Sequence, residues 1–419
     1  MEKYSFFIMT FGCSANSADS NFMEKILLDN GFKKAKNKED CDFLIINSCT
    51  VKTPTELKII SEIKKNKNKK IILSGCLVHH KLEELKKMFP NISMIGVEDV
   101  HKIAVISKEV LLGKKIISVS NIKRTKICAK KSLINIIPIS SGCLGNCAYC
   151  SSKIARGKLF SYPKNEIISK IKTAVELGSK EIWLTSQDTG CYGFDIGTDL
   201  AELLNEITEI KGNFFVRVGM MNPKHAKKIL KNLVKAYKSE KIFKFLHLPV
   251  QSGSNKILKK MNRGYTVSDF KRVVSEFKKN YPKLNLAVDI IAGLPGETEE
   301  DFQKTMELIE KIKPDSIYAS KFWKREGTTA FNMEQVEGSV IKERSKKIQE
   351  LFHKISLLKN EKWIGWEGEV LIDAKTKNNF IGRNYAYKQF ILDKGKIGET
   401  VKVKAKSAGI FYIRGERID

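Results

Sequence analysis

Six short apolar runs, each leading into a longer segment of helical periodicity, occupy the middle of the chain and limit what it can become. The runs lie at residues 134–139, 181–185, 214–218, 245–247, 287–291 and 316–320, and the helical segments at 164–177, 200–207, 223–237, 268–280 and 299–311. Apolar runs of this length, covered by a helix after each, are the mark of buried parallel strands. Six such βα units suit one partial (β/α)6 barrel better than two separate domains.

The same alternation, on a smaller scale, precedes the barrel. Strand-like runs at 4–10, 43–47 and 71–74 are separated by helical patterns at 19–30, 56–65 and 81–88, which reads as a small α/β domain spanning 1–122. A basic stretch, 123–131, links it to the barrel section, 129–358, which ends in a long charged helix from 341 to 363. Beyond it the pattern changes: runs at 369–374, 389–392, 400–405 and 410–416, divided by Gly- and Asn-containing turns, make residues 359–419 a small β-barrel. The expected fold class is therefore α/β, with a compact all-β module at the end.

Lys and Arg together number 75 against 47 Asp and Glu, a formal net charge of +28. That field attracts polyanions, nucleic acid foremost, although Lys–Asn stretches such as 64–70 show that part of the excess is compositional. Residues 1–10 read as a strand running into a Gly-Cys turn, not as a secretion signal, and no apolar run is long enough to span a bilayer. The expectation is a cytoplasmic protein with no membrane partner. In a reducing compartment the nine cysteines point to metal ligation or catalysis before disulfides.

The cysteines are placed accordingly. Cys143, Cys147 and Cys150 sit on one loop, with Gly142 and Gly145, directly after the first barrel strand. Three thiolates so close can wrap one centre, and thiolates select zinc or iron–sulfur clusters. A structural zinc site needs a fourth protein ligand, whereas three cysteines on a [4Fe–4S] cube leave one iron open to a small molecule. Cys13, Cys49 and Cys76 each follow a strand of the N-terminal domain. Taken singly they read as small buried hydrophobes. At the carboxyl ends of three parallel strands, however, they gather where open sheets bind ligands. Cys41, Cys128 and Cys191 lack such placement and read as structural.

The Cys-x-x-x-Cys-x-x-Cys loop after the first strand of a repeated βα section resembles the radical S-adenosylmethionine superfamily. Its surroundings, Gly142–Cys150 followed by Ala155-Arg-Gly157 and Ser161-Tyr-Pro163, are similar to the methylthiotransferases. Thr10–Asn16, Asp19-Ser20, Asn47–Val51 and Ser74-Gly-Cys76 match that family's N-terminal domain, and the β-module resembles its RNA-binding TRAM domain. The phrases at 181–190, 248–253 and 289–298 resemble the archaeal and eukaryotic branch. That branch acts on N6-threonylcarbamoyladenosine (t6A) beside the tRNA anticodon and makes its 2-methylthio derivative. Trp323–Thr328 departs from the family by lacking a proline between arginine and glycine.

The resemblance implies two [4Fe–4S] clusters, on Cys143/Cys147/Cys150 and on Cys13/Cys49/Cys76. It also implies two molecules of S-adenosylmethionine per turnover, a tRNA anticodon stem-loop, a flavodoxin- or ferredoxin-like electron donor and a sulfur donor. An adenine C–H is too weakly acidic for a side-chain base, so a cofactor-derived radical is the chemistry to expect. Gln187 and Asp188, after the second barrel strand, are expected near the cofactor's amino group or the cluster. Arg217 is expected either at the cofactor carboxylate or in a salt bridge within the barrel. Gln251 and Ser252 are candidates for the ribose hydroxyls, Gly293 and Pro295 for a close approach to the adenine, and Tyr149 for its face or for ordinary packing. His79 and His80, adjacent and so pointing apart, read as solvated loop residues.

Lys402, Lys404, Lys406 and Arg414, with Phe411 and Tyr412, suit a surface that tracks a nucleic-acid backbone and stacks bases. The Val–Lys alternation at 401–406 is equally that of any half-exposed strand. Two other functions stay open at this point. One is methylthio transfer to isopentenyl-adenosine or to a ribosomal protein aspartate. The other is a non-catalytic, zinc-containing RNA-binding protein.

Overall fold

In the computed structural model, which describes residues 4–419, the N-terminal domain is a six-stranded parallel sheet. Residues 1–3 of the strand-like run read at 1–10 lie outside the described residues. The strands β1 (Ser5–Thr10), β2 (Lys33–Lys34), β3 (Phe43–Ser48), β4 (Lys70–Gly75), β5 (Ser93–Ile95) and β6 (Ile117–Ser118) stand in the order β2-β1-β3-β4-β5-β6. Phe43, Leu44, Ile45 and Ile46 in β3 are all fully buried, as a central strand covered on both faces requires. The chain leaves β1 toward β2 on one side and returns to β3 on the other. The loops after β1 and β3 thus flank a topological switch point, and they carry Cys13 and Cys49; Cys76 follows β4 alongside.

The first helix, Ser14–Asp29, begins five residues before the apolar periodicity expected from 19. Its opening turns bury polar side chains, Asn16, Asp19 and Ser20, so no apolar stripe announces them.

The barrel opens with β7 (Ile134–Pro138), followed by a small antiparallel pair, β8 (Ser140–Ser141) with β9 (Phe160–Ser161), that brackets the cysteine loop. The parallel strands β10 (Glu181–Thr185) and β11 (Phe215–Val218) continue from β7, and β12 (Phe245–His247), β13 (Asn285–Ala292) and β14 (Ser316–Lys321) form a second sheet. A single parallel bridge between Val216 and Ile242 joins the two sheets. No ladder joins β7 to β14 among the described residues, so the barrel is partial. The segment 223–237 is not one helix but two, Pro223–Lys228 and Leu230–Ala236, broken at Ile229 with φ −109° and ψ 13°. The break lets the first piece pack on helix Val267–Asn280 and the second also on helix Leu200–Thr208. Neither Gly nor Pro marks it.

Helix Gly338–Glu361 runs along β14 and hands the chain to a closed five-stranded barrel. Its strands are β15 (Glu367–Lys375), β16 (Phe380–Arg383), β17 (Gln389–Leu392), β18 (Thr400–Ala408) and β19 (Ile413–Arg417), in the order β15-β16-β17-β19-β18. The four-residue β16 escaped the sequence pattern because it is short and contains Gly382, where a Cβ would meet Val370. Val401, Val403 and Ala405 point into this barrel, which sends the intervening lysines outward.

The small barrel is docked on the amino-terminal rim of the large one. Lys244 N–H donates to the Tyr385 carbonyl at 2.8 Å, Lys388 Nζ meets Asp315 at 2.9 Å, and the Tyr387 ring lies 4.9 Å from that of Phe243 and 5.1 Å from that of Phe245. Beside this joint Glu181, the first residue of β10, is fully enclosed; one carboxylate oxygen accepts from the Trp183 indole at 2.8 Å and the other is unpartnered. Burial pushes its carboxyl up to about 7. The folded chain therefore keeps a proton that the unfolded chain releases near its ordinary carboxylate value. Stability falls as the pH climbs from that value to about 7, a loss of roughly 3 kcal/mol at most. Below it both states are protonated and the penalty vanishes. Glu181→Gln is expected to flatten the decline of Tm between about pH 5 and pH 8 and to raise Tm at the upper end. Parallel melting curves for the two proteins would show that Glu181 carries no such penalty.

Candidate active site

The loop of Cys143, Cys147 and Cys150 is held by its glycine and by a strap. Gly142 has φ +76°, and a Cβ there would lie 1.9 Å from the Lys158 carbonyl oxygen. Both the left-handed backbone and the contact demand glycine. Gly142→Ala is expected to unseat the loop, and the check is iron per chain after anaerobic reconstitution, which should fall below that of the unaltered protein. Across the loop, three consecutive residues clasp three others. Ala148 N–H donates to the Met261 carbonyl at 2.9 Å, the Asn262 amide to the Asn146 carbonyl at 2.8 Å, and the Arg263 guanidinium to Cys147 Sγ at 3.2 Å. Asn262 takes φ +54° to let all three reach.

Cys13, Cys49 and Cys76 meet over one buried amide. Asn16 Oδ1 lies 3.5 Å from Cys13 Sγ and 3.9 Å from Cys76 Sγ, while its Nδ2 donates to the Ser48 carbonyl at 2.8 Å. Cys49 reaches the same place through Gly12, whose missing Cβ would sit 3.0 Å from Cys49 Cβ. Arg156, from the helix that follows the other cysteine loop, pairs with buried Asp19 at 2.6 Å and touches Asn16 Oδ1 at 3.5 Å. Burial raises the Cys76 thiol to about 11. A metal centre must displace that proton, and its own charge supplies the driving force.

Contacts between their neighbours bring the two triads together. Ser14, next to Cys13, hydrogen-bonds Thr185 at the end of β10 at 2.6 Å, and Ser151, next to Cys150, donates to the carbonyl of Thr50, next to Cys49, at 3.2 Å. Arg325 adds a further tie by pairing with Glu56 at 2.8 Å and donating to the Val51 carbonyl at 3.2 Å. The Trp323–Thr328 segment thus ties the barrel to the N-terminal domain without the expected proline.

The polar candidates hold the site's framework. Gln187 Oε1 accepts from Gly142 N–H at 2.7 Å and so anchors the cysteine loop. Asp188 accepts from the Gly190 and Asn222 N–H groups, each at 3.0 Å, and from His225 Nδ1 at 2.6 Å, with Cys143 Sγ 4.0 Å away. Gln251 has φ +71° and a buried, unpartnered Oε1. Ser252 is enclosed, with its hydroxyl against Thr305 Oγ1 at 3.3 Å and Ser254 N–H at 3.2 Å. Tyr149 packs beside Met261 and Tyr265, its hydroxyl 3.4 Å from Arg263.

Several expectations need correction. Arg217 forms no salt bridge among the described residues; its guanidinium stacks on Trp183, Phe245 and Tyr387 at 5.1, 5.1 and 5.4 Å. The docked small barrel supplies one of those rings, which no reading of β11 alone contains. The close approach at Gly293 is to Ile341, 2.3 Å from a virtual Cβ, and its N–H is already given to Glu297. Cys191 does not stand apart from the site: its Sγ, Cys143 Sγ and an Asp188 oxygen lie within 4.8 Å of one another. Hydrogen bonding from Cys191 is the main influence that draws the Cys143 thiol down to about 7. His79 and His80 belong to helix Cys76–His80, where His80 bonds Thr50 and the Glu326 carbonyl, so they are not loop residues. Asn16 and Arg156 lie within the quoted motif phrases but received no role, and His225 and Arg263 were not singled out, because the partners that matter, Cys76, Asp19, Asp188 and Cys147, are far from them in the chain.

The donor set suits an iron–sulfur cube. Thiolates around a single tetrahedral zinc stand about 3.8 Å apart. Among the described residues the only three metal donors that close to within 4.8 Å are Cys143, Asp188 and Cys191, so neither cysteine triad is collapsed about one ion. A cube spreads its ligands more widely, and three thiolates without a fourth protein ligand suit it better than a closed zinc site. Gln251 Oε1, just after β12, is a buried acceptor without a partner, as a site for a further polar molecule would require.

Comparison with known proteins identifies relatives of the chain. Residues 137–309 match the model of the Radical SAM superfamily, and residues 5–96 match an uncharacterized protein family, UPF0004. The chain is 42% identical to a probable threonylcarbamoyladenosine tRNA methylthiotransferase of Pyrococcus horikoshii, over 98% of this chain and 99% of that one. It is 36% identical to the threonylcarbamoyladenosine tRNA methylthiotransferase of Homo sapiens, over 98% of this chain and 73% of the human one. Among solved structures, the radical S-adenosylmethionine methyltransferase TsrM of Kitasatospora setae superposes with a TM-score of 0.59 at 13% identity, covering 79% of this chain and 77% of that one.

Proposed function

The chain belongs to the threonylcarbamoyladenosine tRNA methylthiotransferases, which are radical S-adenosylmethionine enzymes, and on that premise we propose that it converts t6A at position 37 of tRNA to its 2-methylthio derivative. The membership makes it an enzyme with a [4Fe–4S] cluster and S-adenosylmethionine as cofactors and tRNA as substrate. The finer reading is of two clusters and two molecules of S-adenosylmethionine per product. One observation carries it: two separate three-cysteine sets, from different domains, are joined through their neighbours by the Ser14–Thr185 and Ser151–Thr50 contacts.

When bound, the cluster on Cys143, Cys147 and Cys150 would supply the electron that cleaves S-adenosylmethionine to a radical able to take the adenine C2 hydrogen. Cys13, Cys49 and Cys76 would hold the centre from which sulfur comes. The rest falls to the chain's own side chains. Gln187 and the 261–263 strap fix the first loop, Asp188 and His225 brace its flank, and Arg156 and Asn16 support the second set. Gln251 and Ser252 remain the candidates for the cofactor's ribose.

Lys406 and Arg414 are exposed and Lys404 is half-buried, and Lys404, Lys406 and Arg414 are engaged with Glu367, Glu416 and Asp393. Such solvated pairs are weak and salt-screened, so RNA phosphates can take the place of the carboxylates. Phe411, 60% exposed, offers a stacking face beside His353. No helix among the described residues is long and apolar enough to cross a membrane. A flavodoxin- or ferredoxin-like reductant and a sulfur donor complete the proposed partners, and the cytoplasm is the proposed compartment.

The test is anaerobic reconstitution followed by incubation with an anticodon stem-loop carrying t6A and, separately, one carrying isopentenyl-adenosine. Mass analysis of the nucleosides should show a methylthio gain on the first only. About eight irons per chain are expected; about four would leave the second centre unsupported, and stoichiometric zinc without iron would remove the enzymatic reading.

A further inference from the structure

Arg263 is a buried cation without a carboxylate. It is 8% exposed, and none of the ion pairs among the described residues includes it. Its Nε donates to Tyr265 Oη at 3.2 Å, one terminal nitrogen donates to the Pro249 carbonyl at 3.2 Å, and the other reaches Cys147 Sγ at 3.2 Å and Tyr149 Oη at 3.4 Å. Every partner but one is neutral. Burying a guanidinium is costly unless an opposite charge faces it, and the sole group here that acquires negative charge is the Cys147 thiolate. The buried arginines Arg156, Arg325 and Arg344 all have carboxylate partners. Arg263 is the exception, and it stands beside a cluster ligand.

We propose that Arg263 is a positioning residue whose charge is balanced by the cluster on Cys143, Cys147 and Cys150, and which sets that cluster's reduction potential through its bond to Cys147 Sγ. The inference rests on the cluster assignment made above. A hydrogen bond and a positive charge at a ligand sulfur favour the reduced, more negative cluster. Removing them makes the electron harder to place, even though the loop keeps its Met261 and Asn262 fastenings. The same side chain orients Tyr149 and Tyr265, so loop geometry and redox poise are coupled through one residue.

The experiment is an EPR-monitored redox titration of the reconstituted enzyme, without S-adenosylmethionine or RNA. Arg263→Gln removes the charge and leaves amide donors. It is expected to cut the reduced-to-oxidised cluster ratio at a fixed potential about tenfold, a midpoint lowered by some 59 mV for one electron. Arg263→Lys is expected to recover part of that shift. Arg272→Gln, which removes an exposed cation on helix Val267–Asn280 with no contact to the cysteine loop, should titrate like the unaltered enzyme. An unchanged midpoint in a fully loaded Arg263→Gln enzyme overturns the proposal. Should that variant fail to load, the unaltered enzyme with 15N-labelled arginine decides: the reduced cluster should show a resolved nitrogen hyperfine coupling, and its absence overturns the proposal. Lack of any cluster signal in the unaltered protein would instead undo the cluster assignment itself.

Discussion

Replacing Cys143, Cys147 and Cys150 together by alanine is expected to remove about half of the bound iron and bring the 2-methylthio product below detection. The loss is total because no side chain can do the work of the missing centre. An adenine C2–H cannot be ionised by a base at neutral pH, and radical generation is the cofactor's chemistry alone. The loop itself should survive, since its fastenings to Gln187, Met261 and Asn262 use backbone atoms of Gly142, Asn146 and Ala148. The remaining iron would belong to Cys13, Cys49 and Cys76, so the same protein also tests the second centre. As a control, Cys128→Ala should keep full iron and full product, for Cys128 is buried in the linker with no part in either triad. Methylthiolated RNA from the triple variant would end the radical reading.

The second large effect is expected at Arg156. This side chain leaves the barrel's cysteine-loop helix, enters the N-terminal domain and pairs with Asp19, both almost wholly buried. Cutting one partner from a buried pair strands the other, which costs about 3–5 kcal/mol. The loss should be felt twice. Arg156→Met should lower the thermal midpoint by several degrees and loosen the centre at Cys13, Cys49 and Cys76, whose thiolate charge the guanidinium also faces. Differential scanning calorimetry reads the first effect and iron retention on a desalting column the second. Arg156→Met with Asp19→Leu should recover much of the stability, because an apolar pair leaves no stranded charge, while the iron loss persists. Full iron retention in both variants would limit Arg156 to a structural tie.

Much of this was written in residue order. Runs such as 181–185 and 245–247 coincide with β10 and β12 because a parallel strand buried on both faces needs a largely apolar centre, and that is a local property. The cysteines were legible for a related reason. Cys143, Cys147 and Cys150 are candidate ligands by their spacing, while Cys13, Cys49 and Cys76 follow three strands whose carboxyl ends topology brings to one edge.

Pairings across elements were not legible. Arg217 offers a cation that could have met a carboxylate; docking of the small barrel instead brings Tyr387 against it and leaves it among three rings. Cys191 and Cys143 stand 48 positions apart and meet because the loop after β10 folds over the loop after β7. Gly293 needs its missing side chain for a helix that starts 45 residues later. Periodicity and spacing are carried by neighbours along the chain, so strands, helices and ligand loops follow from order alone. A buried polar group takes whichever partner packing delivers, and which one that is depends on contacts between segments that share no local signal.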